Sequence, residues 1–308
     1  MQPWTENELV RFAPQARKEY VAVLVDGWND IVAAGINTPL RLAEFMAQIG
    51  HETGGLTIIV ENMNYSAKRM SAVWPSRFRG AADPRALYCA NNPERLAEVV
   101  YGGRMGNKGT GDGYAYRGRG FLQDTGRDCY REYGSLIGVN LEANPSLLEN
   151  PAVSLRVALM RWQRMDLNRF ADRNYTRAIG NAINRGSPFS SHPPIGHEER
   201  DSSGQLVGGR VYWFDRAWNL WGNGDQPGVP AGLALGAHGT DVTAAQMRLR
   251  ELGYGVGATD GVFGPAMARA LVGFKLDVKR QLGLDTEPEE LIGPLTMAAL
   301  KRGLKADV

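Results

Sequence analysis

The 308-residue sequence predicts a mainly α protein in two parts, an α+β domain with a small β-hairpin followed by a small three-helix module. Three observations carry that prediction. Apolar residues recur at helical spacing through much of the first 222 residues. The stretch WGNGDQPGVPAGLALGAHG, residues 221–239, is dense in Gly and Pro and poor in core-forming side chains, as a linker is. Beyond it, GPAMARAL from Gly264 recurs as GPLTMAAL from Gly293, each a Gly-Pro turn opening an apolar helical stripe. The predicted organisation is a first domain over 1–223, a linker over 224–235 and a second domain over 236–308.

In TPLRLAEFMAQIGHE, Thr38 is a natural N-cap, Pro39 suits the first helical position, and Leu42, Phe45, Met46 and Ile49 fall on one stripe. That helix carries His51 and Glu52 to its C-terminal end, where Gly54 and Gly55 turn the chain. The β-branched run in LTIIVENMNYS predicts the hairpin, which would hold Glu61 opposite the helix end. NPAVSLRVALMRWQRM and GGRVYWFDRAWNLW read as further amphipathic helices. Between them, residues 187–207 mix Pro, Gly, Ser and charge, the texture of a long surface loop. In the last part, Val242, Leu249 and Leu252 share a face in TDVTAAQMRLRELGY, which completes the three-helix module.

Composition removes several function classes. Apolar residues are 43% and charged residues 22%, ordinary globular usage that argues against long disorder or coiled coil. A formal net charge of +2 gives no electrostatic footprint for nucleic acid. The start MQPWTENELVRFAP lacks the basic and apolar runs of a secretory signal, and no apolar stretch approaches membrane-spanning length, so neither a leader nor stable membrane insertion is expected. Cys89 and Cys129 form no CxxC and suggest reduced thiols. His192 and His197 lie five apart in the loop with no evident third ligand, so no metal or other cofactor is expected.

Glu52 and Glu61 are the candidates for chemistry. Glycosidic cleavage takes one carboxyl that donates a proton to the leaving oxygen and a second that stays ionised across the sugar. At the negative end of a helix dipole and beside Phe45, Met46 and Ile49, a carboxyl such as Glu52 is biased toward holding its proton. Two glutamates nine residues apart are common on surfaces, and the pair gains weight from YGGRMGNKGTGDGYAYRGRGFLQDTGRDCY, residues 101–130. There glycines permit close backbone approach, tyrosines can stack on sugars, and Arg and Gln can bond hydroxyl or acetamido groups. A phosphate loop is the poorer reading of GRG, because no GxxxxGK[ST] pattern occurs.

GHETGG, ENMNYSA, YGGRMGN, GDGYAYRGRGFLQDTG and AINRG, in this order over roughly residues 35–222, closely resemble glycoside hydrolase family 19, and within it the phage endolysin variety. The resemblance implies a lysozyme-like fold, Glu52 as general acid, Glu61 as general base and the Thr125 hydroxyl helping to hold the attacking water. It implies inversion at the anomeric carbon, hence carboxylates about 6.5 to 9.5 Å apart. Tyr65, Arg117, Arg119, Gln123 and Asn184 fall on motif positions expected to line the cleft. Asp124 departs from the pattern, standing where an apolar residue is expected. GTDVTAAQMRLRELGY, DGVFGPAMARAL and IGPLTMAAL, over about 236–304, resemble the peptidoglycan-binding domain type 1. Met267 and Lys275 depart from that pattern. Asp260, Gly261, Phe263 and Gly264 are its candidate wall-contacting residues, although a structural turn explains them better.

The expected function is that of an endolysin, a muramidase cutting the β-1,4 bond between N-acetylmuramic acid and N-acetylglucosamine in peptidoglycan glycan strands. The chain would act as a monomer, wait in the host cytoplasm, and reach the wall through a membrane lesion made by a holin-type partner. A chitinase, a lytic transglycosylase, an antibacterial effector and a non-catalytic wall-binding protein are the alternatives.

Overall fold

The computed structural model describes residues 3–186, 188, 194–222, 233–234, 236–283, 291–292 and 294–303. The predicted linker, apart from Leu233 and Ala234, lies outside them, as does His192. The fold is mainly α, as the periodicity predicts, and its backbone contacts divide it into two compact units. The first comprises residues 1–168 and 212–223, the second 169–211 and 224–308. This grouping cuts across the expected segmentation, because 169–211 fall with the C-terminal residues.

In the first unit, the helix Pro39–Glu52 forms as predicted, with the Thr38 hydroxyl accepting from the Arg41 amide and Pro39 in the first turn. It is buried from Leu42 to Gly50, and Phe45 meets Trp162 of the helix Pro151–Arg164 edge-on at 5.2 Å. Gly50 is a packing requirement, since a Cβ there would lie 2.7 Å from the Trp213 indole. The helix Arg127–Ile137 packs beside Pro151–Arg164, and its Arg127 is ion-paired to Asp112 at the start of the short helix Asp112–Ala115.

The expected hairpin at 56–66 does not form. Val60 and Arg119 make an isolated antiparallel bridge, and the Glu61 amide donates to the Gly118 carbonyl at 2.8 Å. Val60 thus pairs with a distant loop, and Leu56 in the left-handed region (φ 60°) continues the glycine turn. The small β elements lie in the second unit instead. Glu199–Arg200 pairs with Leu206–Gly208, an antiparallel pair that begins inside the expected 187–207 loop and ends one residue beyond it.

The three predicted C-terminal helices are Thr240–Glu251, Pro265–Leu282 and Pro294–Arg302, accompanied by an antiparallel pair of Leu233–Ala234 with Leu291–Ile292. Val242, Leu249, Phe263, Leu271, Phe274 and Leu300 form their shared core. Among the described residues, no helix is long and apolar enough to cross a membrane.

Candidate active site

Glu52 is the last residue of its helix, and Thr53 closes that helix by donating its hydroxyl to the Ile49 carbonyl at 2.6 Å and accepting from the Leu56 amide. The chain then turns through Gly54 and Gly55, both left-handed (φ 56° and 77°). At Gly55 a Cβ would sit 2.6 Å from Trp213, so glycine satisfies the backbone and the packing at once. Glu52 is half-buried, with Ile49 and Met46 fully buried in the preceding turn.

Glu61 is held from three sides. Its Oε1 accepts from the Tyr101 hydroxyl at 2.7 Å, its Oε2 accepts from the Gly118 amide at 3.0 Å, and its own amide bonds the Gly118 carbonyl. Burial, and then the Glu61 charge, raise the Tyr101 phenol above its ordinary range, so Tyr101 remains a donor. Tyr65 stands on the same side, its hydroxyl also raised, first by burial and then by Glu61, and its ring meets Trp74 edge-on. A Cβ on Gly118 would lie 3.0 Å from Gln123 Oε1 and 3.2 Å from Glu61 Oε2, so a side chain there would press on both groups.

The loop from Gly118 to Thr125 is closed by two reciprocal backbone bonds between Arg119 and Asp124, of 3.1 and 2.8 Å. Gln123 at its tip is left-handed (φ 51°), a costly conformation for a residue with a side chain, and such strain gathers at functional sites. Its amide nitrogen bonds the Gly120 carbonyl, and the Thr125 hydroxyl donates to the Gln123 carbonyl at 3.1 Å. Glu61, Gln123 and Thr125 thus meet at one loop, and Tyr65 interacts electrostatically with Glu61.

Asp124, the departure from the expected pattern, is 2% exposed and ion-paired to Arg161, Oδ1 to the guanidinium at 2.9 Å. Burial pushes its carboxyl up, against the opposing pull of Arg161, and the Glu52 charge adds to the rise. Glu52, Asp124 and Arg161 thus form one electrostatic group. Tyr101 and Arg161 are not among the predicted site residues. No local spacing signals them, since they reach their partners across 40 and 37 residues.

The two predicted arginines differ. Arg117 is half-buried, with its guanidinium 4.0 Å from the Tyr114 ring centroid. Arg119 is buried and braces the loop, bonding Glu149 at 2.7 Å, the Ala115 carbonyl and the Tyr130 hydroxyl. Asn184 belongs to the second unit, near the end of the helix Thr176–Arg185, where its side-chain oxygen accepts from the Ile195 amide at 3.5 Å. Among the described residues no cluster of His, Cys, Asp or Glu could hold a metal ion.

In the C-terminal module, Asp260 Oδ1 accepts from Gln246 and from the Val262 amide, and Gly261 takes φ 72°. A Cβ on Gly261 would meet Thr243 at 2.8 Å, Phe263 is fully buried, and Gly264 caps the helix Pro265–Leu282. Gln246 ties the turn together, donating to the Ala258 and Val262 carbonyls as well. The geometry is that of a structural turn around a core phenylalanine. Met267 and Lys275, the departures from the module's pattern, are both buried.

Over 159 residues the chain is 34% identical to a "Glycosyl hydrolase family 19 domain-containing protein" of Haemophilus influenzae, covering 51% of this chain and 76% of that protein. The chain belongs to glycoside hydrolase family 19. It is a glycosidase. Endochitinase 2 of Gossypium hirsutum is 30% identical over 123 residues, 40% of this chain and 34% of that protein. Among solved structures, chitinase C from Streptomyces griseus HUT6037 is similar at 20% identity and a TM-score of 0.45, covering 73% of this chain and 95% of its own. Residues 238–277 match the family model described as "Putative peptidoglycan binding domain", so this family 19 enzyme carries such a domain at its C-terminal end.

Proposed function

We propose that the chain is an endolysin-type muramidase that hydrolyses the β-1,4 bond between N-acetylmuramic acid and N-acetylglucosamine in peptidoglycan. The observation that carries this reading is the coupling, in one chain, of a family 19 catalytic domain with a match to a peptidoglycan-binding family. A wall-binding module makes the encounter with the glycan intramolecular and raises its local concentration, which is of use only if the wall is the substrate.

In this mechanism Glu52 gives its proton to the glycosidic oxygen as the bond breaks. Glu61 takes a proton from a water on the other face of the sugar, in a single inverting displacement. The Tyr101 hydroxyl and the Gly118 amide orient the Glu61 carboxylate, and the Thr125 hydroxyl, beside Gln123, helps hold the water. Cytoplasmic residence, action as a monomer and release by a holin-type partner belong to the same proposal. Cells expressing the chain would lyse only once their inner membrane is permeabilised.

Likeness to endochitinases favours a second reading, hydrolysis of N-acetylglucosamine polymers. Mass spectrometry of borohydride-reduced fragments separates the two. Reduced muramic acid ends released from purified sacculi support the muramidase. Cleavage of chitin with no release from sacculi moves the assignment to chitinase, and anhydromuramic ends would replace hydrolysis by transglycosylation.

A further inference from the structure

The Gly118–Thr125 loop is bonded to Glu61 at one end and, at the other, to Arg161 of the helix Pro151–Arg164, which packs against the helix ending in Glu52 through Trp162 and Phe45 at 5.2 Å. Gly118 exchanges two hydrogen bonds with Glu61, one to the carboxylate and one through the backbone. At the other end Asp124 couples electrostatically to Glu52 and is ion-paired to Arg161, whose same nitrogen also donates to the Leu122 carbonyl at 3.0 Å. Arg161 therefore grips the loop twice, by a side chain and by the backbone two residues earlier. The Asp124 carboxylate bonds Arg161 of Pro151–Arg164 and the Cys129 thiol of Arg127–Ile137, and it interacts electrostatically with Tyr130 and Tyr133 of that helix and with Glu52.

Stability alone does not account for this pair. Two charges must be desolvated to build it, and well-packed apolar residues in place of a buried ion pair are often neutral or stabilising. An apolar residue is also what the family pattern leads one to expect at position 124. What the ion pair supplies and an apolar contact lacks is direction: a bond to the Leu122 carbonyl and one to the Asp124 carboxylate from a helix that packs on the helix of Glu52.

We propose that Asp124 and Arg161 are positioning residues for catalysis, a buried pair that sets where the loop stands relative to Glu52 while Gly118 sets where it stands relative to Glu61. The pair thereby fixes the spacing across which water and glycosidic bond must align, a role that rests on the two-acid hydrolase reading.

The test is the double substitution Asp124→Leu with Arg161→Met, compared with wild type and Glu52→Gln on purified sacculi and on chitin. The double variant is expected to melt no lower than wild type and to keep its KM and sacculus affinity. Its kcat should fall by about 10- to 100-fold, the scale on which small misplacements of reacting groups act. Asp124→Asn keeps volume and a hydrogen-bond acceptor while removing the charge, and it should lower kcat without moving KM even where the double variant fails to fold. A folded variant with wild-type kcat, or one altered only in KM, overturns the proposal. If Glu52→Gln is inactive while the double variant is fully active, positioning alone fails. If Glu52→Gln is as active as wild type, the two-acid reading fails, and positioning with it.

Discussion

Glu61 reaches its place through partners far away in sequence, and that determines what single substitutions do. Tyr101→Phe removes the hydroxyl that donates to Glu61 Oε1 at 2.7 Å and leaves the ring in its packing. A hydrogen bond to a charged group contributes about 1.5–3 kcal/mol. If about 1.4 kcal/mol of that is expressed in the transition state, kcat/KM falls about tenfold. Steady-state kinetics checks this, with the melting temperature as control. Thr125→Ala should lose much of the activity while the protein still binds purified wall in a pull-down; full activity would remove Thr125 from the mechanism. Glu52, Glu61, Tyr65, Gln123 and Thr125 stand out as candidates in the sequence because their motifs are local and ordered along the chain. Arg161 does not, since a helical arginine among apolar residues looks like any solvated cation until Asp124 is found buried against it.

Among the elements, the helix Pro39–Glu52 was fully legible, because a Thr-Pro cap, an apolar stripe and a Gly-Gly stop all point to the same boundaries. The hairpin expectation fails for the opposite reason. β-branched residues record a preference for extended backbone but not the identity of the pairing partner, and the partner is the loop at Gly118–Arg119. A second consequence concerns the helix Arg127–Ile137. Glu142 accepts from Arg131 at 2.8 Å through both oxygens and pairs with Arg127, which also grips Asp112. Arg131 chiefly, with Arg127 assisting, lowers the Glu142 carboxyl from its ordinary 4.5 to about 2. A folded-state value below the unfolded one gives stability that is present above the ordinary value and lost as pH falls toward about 2. Acid unfolding followed by circular dichroism should therefore steepen between these limits. Glu142→Gln should flatten that slope while changing little at neutral pH beyond the loss of a solvent-screened pair.

For the whole molecule, the candidate catalytic residues Glu52, Glu61 and Thr125 belong to the first unit, and the peptidoglycan-binding match covers residues 238–277. Removing residues 231–308 should leave a folded chain that still cleaves soluble glycan and binds sacculi more weakly, because only the tethering is lost. Sedimentation and sacculus binding of the shortened chain check this; aggregation would show that residues 169–211, which group with the C-terminal residues, depend on them to fold. The central claim is that Glu52 and Glu61 act as an acid and base pair across a glycosidic bond. The rate at which folded Glu52→Gln releases reducing ends from purified sacculi tests it most directly. A loss of at least about 100-fold is predicted, within the usual contribution of a positioned general acid. A wild-type rate from a folded Glu52→Gln protein would contradict it.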